Sequence, residues 1–271
     1  MSLDIRKEMD EIRKLYAEDR TQNSFNLLLL GETGSGKTHL LQTARRPIHI
    51  DSFDIGGTKL PSIRKGIEEG WIIVDSRWEH EDPFKPSVVD AWAKEMERRV
   101  QMGYFNALGT YCLDSMTSWT EAIMNRTLKK AGIAAHAPRF THDYMPTKTD
   151  IRNFVSRLLK LSCDFILTGH LRADKDEVVG TISMRLVTIG DLDIKLPSLF
   201  DEIWITQVKD GSKGPDYSIL TSPKGFYKTV RTRIGSGKFE QFEKPNICEL
   251  LKKAGLPYQP KTLSLEGGDA S

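Results

Sequence analysis

Gly31-Glu32-Thr33-Gly34-Ser35-Gly36-Lys37-Thr38 is a complete phosphate-binding loop of the form G-x-x-x-x-G-K-[ST]. Glycines at 31, 34 and 36 open backbone angles closed to other residues, so successive amides can turn inward on an anion. A helix starting near Gly36 adds the positive end of its dipole. Lys37 has the reach for the β- and γ-phosphate oxygens of ATP, and the Thr38 hydroxyl suits Mg²⁺. The flanks argue against a chance match in a glycine-rich turn. Phe25 to Leu30 reads as a buried strand, and Thr38 to Arg46 has no Gly or Pro to stop a short helix.

Such a loop needs a carboxylate to hold Mg²⁺ or its waters. Asp114, ending the apolar run Thr110-Tyr111-Cys112-Leu113, is the candidate, the alternative being a cap for the next helix. A second carboxylate would orient or deprotonate the attacking water. Asp54 and Asp51, after a second strand and before Gly56-Gly57, are candidates for that role or plain turn formers. His170, in Thr168-Gly169-His170, ends another strand and would face the γ-phosphate; a structural histidine is the alternative. Arg231 and Arg233 alternate on an expected late strand and could act as fingers across a subunit boundary, or form a solvated edge. Lys129, Lys130, Arg139, Lys148 and Arg152 interleave with His136, Phe140, His142 and Tyr144, as a single-strand-binding loop would, or an ordinary solvated one.

Positioning these residues requires alternating strands and helices. Expected strands cover 25–30, 48–51, 71–75, 110–114 and 165–168, with helices from Ser87 to Gly103 and from Asp150 to Leu161 between them. That alternation means a mostly parallel sheet covered on both faces. After His170, short strands over 182–188, 203–208, 217–220 and 226–232 are expected to extend the sheet antiparallel, with 209–216 as a turn cluster. Asn246, Glu249 and Gly255 bound a last helix. Ile5, Met9, Ile12, Leu15 and Tyr16 make residues 3–20 an amphipathic helix, for the core or for a neighbouring subunit. The division expected is a helix over 1–23, an ATPase domain over 24–255 and a tail over 256–271.

The 271 residues carry 39 basic and 37 acidic side chains, so the net charge of +2 does not by itself argue for nucleic acid. No stretch has the length of a membrane span, and three dispersed cysteines fit a cytoplasmic chain without disulfides.

Taken in order, Gly31 to Thr38, Ile50-Asp51, Leu113-Asp114-Ser115, Leu167 to His170, Leu199 to Glu202 and Arg231 to Gly235 resemble the RecA-like ATPases encoded by many tailed phages. These are AAA-domain nucleotide-binding proteins, some of them single-strand annealing or recombination factors. The resemblance implies a RecA-like α/β core, Mg²⁺-dependent ATP hydrolysis coupled to single-stranded DNA, and a homo-oligomer, ring or filament, with sites between subunits. It also exposes a departure: the family places a Glu after the second strand, where this chain reads Asp51-Ser52-Phe53-Asp54. A nucleotide kinase and an ATP-gated interaction module are the other classes open to this loop. A GTPase is not indicated, since neither Asn-Lys-x-Asp nor Asp-x-x-Gly at Asp114 is present.

Overall fold

The computed structural model describes residues 2–18, 24–175, 180–212 and 214–261. Helix α1 (Ser2–Glu18) precedes β1 (Asn26–Gly31), the loop, and α2 (Lys37–Leu41). Then come β2 (Ile48–Ser52), α3 (Pro61–Glu68), β3 (Ile72–Asp75), a 3-10 turn (Ser76–Glu79), α4 (Val88–Gln101) and α5 (Tyr104–Ala107). Next are β4 (Thr110–Asp114), α6 (Met116–Lys130), α7 (Tyr144–Leu158), β5 (Asp164–Lys175) and β6 (Ile182–Leu186). The chain closes with α8 (Leu192–Lys195), β7 (Glu202–Gly211), β8 (Gly214–Leu220), β9 (Phe242–Glu243) and α9 (Ile247–Ala254).

The sheet order is β3-β2-β4-β5-β1-β7-β8-β9, with β6 pairing β5. The strands from β3 to β7 in that order run parallel, and β8, β9 and β6 are antiparallel to their neighbours. Strand β5 therefore lies between the loop strand β1 and the Asp114 strand β4, the arrangement expected of a RecA-like core. Alternation along β1 makes this possible. Leu28 and Leu30 enter the core under α4, α6 and α7, while Leu27 and Leu29 enter the one under α2, α3 and α9. All four are fully buried, each worth about 1.5–3 kcal/mol relative to exposure.

Several local expectations change. No strand forms over 226–232: Arg231 makes a single bridge to Ile203, and Glu202 then accepts the amides of Arg233 (2.5 Å) and Ile234 (3.0 Å). The turn expected over 209–216 is instead the tip of a hairpin paired as far as Gly211 and Gly214. Strand β7 is parallel to β1, so of the late strands β6 and β8 extend the sheet antiparallel and the one over 203–208 does not. Helix α7 starts at Tyr144, ahead of the expected Asp150. Val100 shares the helical spacing of the buried Val89, Trp92 and Met96 on α4 but is 47% exposed. The side chains of residues 4–17 on α1 are exposed, so its apolar stripe does not pack on the core. Residues 262–271, most of the expected tail, lie outside the described residues. Among the described residues, no helix is long and apolar enough to cross a membrane.

Candidate nucleotide site

Parallel strands bring their carboxyl ends to one edge, and the candidate residues gather there. Gly31 ends β1 between His170 of β5 and Thr206 of β7. A Cβ at Gly31 would stand 2.2 Å from Thr206 Oγ1 and 2.4 Å from Ser35 Oγ, so only glycine leaves room for the bond joining those hydroxyls (2.7 Å). Gly34 (φ 79°) and Gly36 (φ 90°) take the left-handed backbone that aims the loop amides inward. The Ser35 amide and hydroxyl both donate to Glu32 O, closing the turn. Among the described residues, the amides of Gly34, Gly36, Lys37 and Thr38 donate to no backbone carbonyl, which leaves a cradle for an anion.

Lys37 is buried, and its Nζ donates to Gly31 O (3.0 Å) and Glu32 O (2.9 Å). It also lies 3.4 Å from His170 Nδ1. Burial lowers the lysine pKa, opposed by the charges of Asp114, Asp54 and Glu32. Burial, then Lys37, lowers that of His170, so the imidazole is neutral at pH 7. An ammonium can only donate; Nδ1 therefore accepts and the imidazole proton sits on Nε2.

Asp114 ends β4 buried, with Oδ2 accepting from Thr38 Oγ1 (2.9 Å) and Oδ1 from Thr168 Oγ1 (2.5 Å). Burial raises its pKa, with the Thr168 bond opposing and the Asp54 charge adding. Asp54 follows β2, and its Oδ1 accepts from Ser115 Oγ (2.8 Å) and Ser118 Oγ (2.5 Å). Gly34, Lys37, Thr38, Asp54, Asp114 and His170 together line a cavity of about 590 Å³. These are oxygen and cation donors suited to a triphosphate with a hard divalent metal.

A family model described as an AAA domain matches residues 24–229. The chain belongs to this AAA-domain family. Similar solved structures include a KaiC-like protein of the hyperthermophilic archaeon Pyrococcus horikoshii, at 15% identity over 72% of this chain and 77% of that one, TM-score 0.40. Another is the flagellar accessory protein FlaH of Methanocaldococcus jannaschii, at 14% identity over 80% and 83%, TM-score 0.42. Among curated proteins none matches.

Other candidate residues of the AAA domain lie outside this cavity. Asp51 is not in the cavity. Its fully buried carboxylate accepts from His49, Trp78, Trp92, Arg99 and Tyr111 at 2.6–3.1 Å. Burial works against its charge, but His49, Arg99 and Tyr111 hold its pKa well below the usual carboxylate range. His49, Asp51 and Asp75 converge as metal ligands would. The Arg99 guanidinium already supplies the cation, donating to both carboxylates. Arg231 and Arg233 do not line this chain's own cavity. Arg231 donates to Pro197 O and Phe200 O, and Arg233 pairs with Asp201. Arg231 bridges Ile203, which is level with Leu28 on β1, whereas Thr206 is level with Gly31. The two arginines thus sit toward the amino end of the sheet. In the basic segment, Lys129 donates to Pro86 O, Arg139 pairs with Asp143 and Lys148 with Asp191. Lys130, Arg152 and the 89%-exposed Phe140 face solvent.

Two residues carried no sequence signal. Tyr217 on β8 lines the same cavity, and a Cβ at Gly36 would meet its ring at 3.2 Å. Glu79 sits in a charged run that reads as surface, yet it is buried. It accepts from Ser52 Oγ (2.7 Å) and the Gly56 amide (2.9 Å), pinning both sides of Asp54.

Proposed function

We propose that this AAA domain is a Mg²⁺-dependent ATPase that works on single-stranded DNA as a homo-oligomer, in recombination or replication of the phage type. The observation carrying the hydrolytic part is the convergence of Lys37, Thr38, Asp114, Asp54 and His170 on one cavity. The inward amides and Lys37 would hold the phosphates of ATP, the ammonium exchanging two loop carbonyls for phosphate oxygens. Thr38 and Asp114 would hold Mg²⁺, directly or through its waters. When bound, that ion neutralises charge developing on the phosphates.

Both serines that touch Asp54 donate to Oδ1, so Oδ2 is left to orient water and take its proton. Neutral His170 accepts from Lys37 and begins the outer half of β5, which runs on to exposed Arg172 and Lys175. Those cations, with Lys130 and Arg152, are among the exposed groups that could meet nucleic-acid phosphates. The placement of Arg172 and Lys175 on the strand that carries His170 supports coupling of turnover to a strand. The Asp in place of the usual Glu favours one second reading, an ATP-gated module with slow turnover.

The test is phosphate release with and without single-stranded DNA across a salt series. Stimulation that fades steeply with salt supports the ATPase reading. Binding without turnover supports the gated module, and phosphate transfer to a nucleotide without DNA overturns both.

A further inference from the structure

Helix α1 exposes Ile5 (59%), Met9 (54%), Ile12 (56%), Leu15 (70%) and Tyr16 (67%). Positions 5, 9, 12 and 16 follow the alternating four-three spacing of a heptad seam, Ile5 and Ile12 at d, Met9 and Tyr16 at a. A stripe this long on a helix that touches no core is an unpartnered interface.

We infer that α1 pairs in parallel with α1 of a second copy of this chain, as a short coiled coil. The flanking charges select both the occupant and the direction. In the same frame Glu8 and Leu15 are g positions, and Arg6 and Arg13 are e positions. Parallel packing sets each g beside the e five residues on in the partner helix, which joins Glu8 to Arg13 in both directions across the pair. Antiparallel packing sets e against e, bringing Arg6 onto Arg13, and leaves Glu8 facing Leu15. Like charges oppose that arrangement.

In the single chain, Arg13 pairs with Asp10 at 3.0 Å, both side chains being largely exposed, so exchanging partners costs little. The outward face carries Asp4, Asp10 and Glu11 beside Lys7 and Lys14, a mixed surface unlike the Lys/Arg-rich face of a membrane-lying helix. The pairing gives the proposed homo-oligomer a contact, yet it needs no nucleotide.

The experiment is oxidative crosslinking of full-length Ile5→Cys. The native chain is the control, because Cys112 and Cys163 are buried and Cys248 half-buried. Parallel pairing juxtaposes the two introduced thiols, whereas antiparallel pairing separates them by about 16 Å along the axis. Two heptads make a weak zipper, and crosslinking traps even a fractional population. The expected result is a disulfide dimer absent from the native control. Added Glu8→Arg or Arg13→Glu should each lower its yield about tenfold, and the two together should restore it. No dimer above the control overturns the pairing, as does a dimer indifferent to both reversals. Mg²⁺-ATP binding by the same variants keeps the two ideas apart. Intact binding without crosslinks rejects only the zipper, and crosslinks without binding reject only the ATPase.

Discussion

The Thr38 hydroxyl donates to the Asp114 carboxylate at 2.9 Å, joining the start of α2 to the end of β4 across the intervening strand β5. Thr38 follows the loop that leaves β1 and Asp114 ends β4, so the contact exists only once the parallel sheet is assembled. Replacing either should therefore impair metal use and leave the fold in place. Thr38→Val and Asp114→Asn are expected to weaken Mg²⁺ dependence about 10–100-fold, read as the Mg²⁺ concentration giving half-maximal turnover.

Asp54 and Glu79 should separate as catalytic and positioning groups. Asp54→Asn is expected to keep ATP affinity and lose turnover by about 10²–10⁴-fold. Glu79→Gln should cost less, since its amide still accepts one of the two bonds that pin the Asp54 loop. Steady-state rates with measured ATP affinities distinguish the two.

Tyr217→Ala should weaken ATP binding by about tenfold, an effect of about 1–3 kcal/mol for a lost stacking surface. The ring already lies against the loop at Gly36. Tyr217→Phe should bind as the native chain does.

Asp51 and Arg99 form a buried structural pair, and removing one partner strands the other's charge. Arg99→Leu is expected to lower stability by about 3–5 kcal/mol in denaturant unfolding. The heavier loss should fall on folding and not on the Mg²⁺ dependence of whatever folded protein remains.

Asp164 gives a pH dependence of definite sign. Burial, opposed by Arg45 and the Phe25 amide, raises its pKa from 3.8 to about 7. Between those values the folded chain binds more protons at this site than the unfolded one, so its contribution to stability falls as pH rises from about 4 to about 7. Asp164→Asn should flatten that slope. Unfolding midpoints at several pH values measure it.

The loop, its strand and Asp114 were legible in the sequence because each depends on local chemistry: glycine conformations, an apolar run, a carboxylate at a strand end. The cap of α9 was equally local, Asn246 accepting from the Glu249 amide and Gly255 taking φ 85°. What was not legible depends on distant partners. Asp51 and Asp54 look alike in sequence, and a separation of three residues turns one into the buried network and the other toward the cavity beside the glycine-rich loop. The strand expected around Arg231 had suitable residues, but it is reduced to one bridge, to Ile203, about thirty residues earlier in sequence. Glu79 and Tyr217 matter through contacts with Gly56 and Gly36, which no spacing announces.

The most direct measurement is calorimetric titration of Mg²⁺-ATP into the native chain and into Lys37→Ala, with thermal unfolding of both as a control. The expected result is one saturable site in the native chain, lost in the variant while its unfolding transition persists. Binding of equal strength in both, or no heat in either, would contradict the assignment of the Gly31 to Thr38 loop as the ATP site.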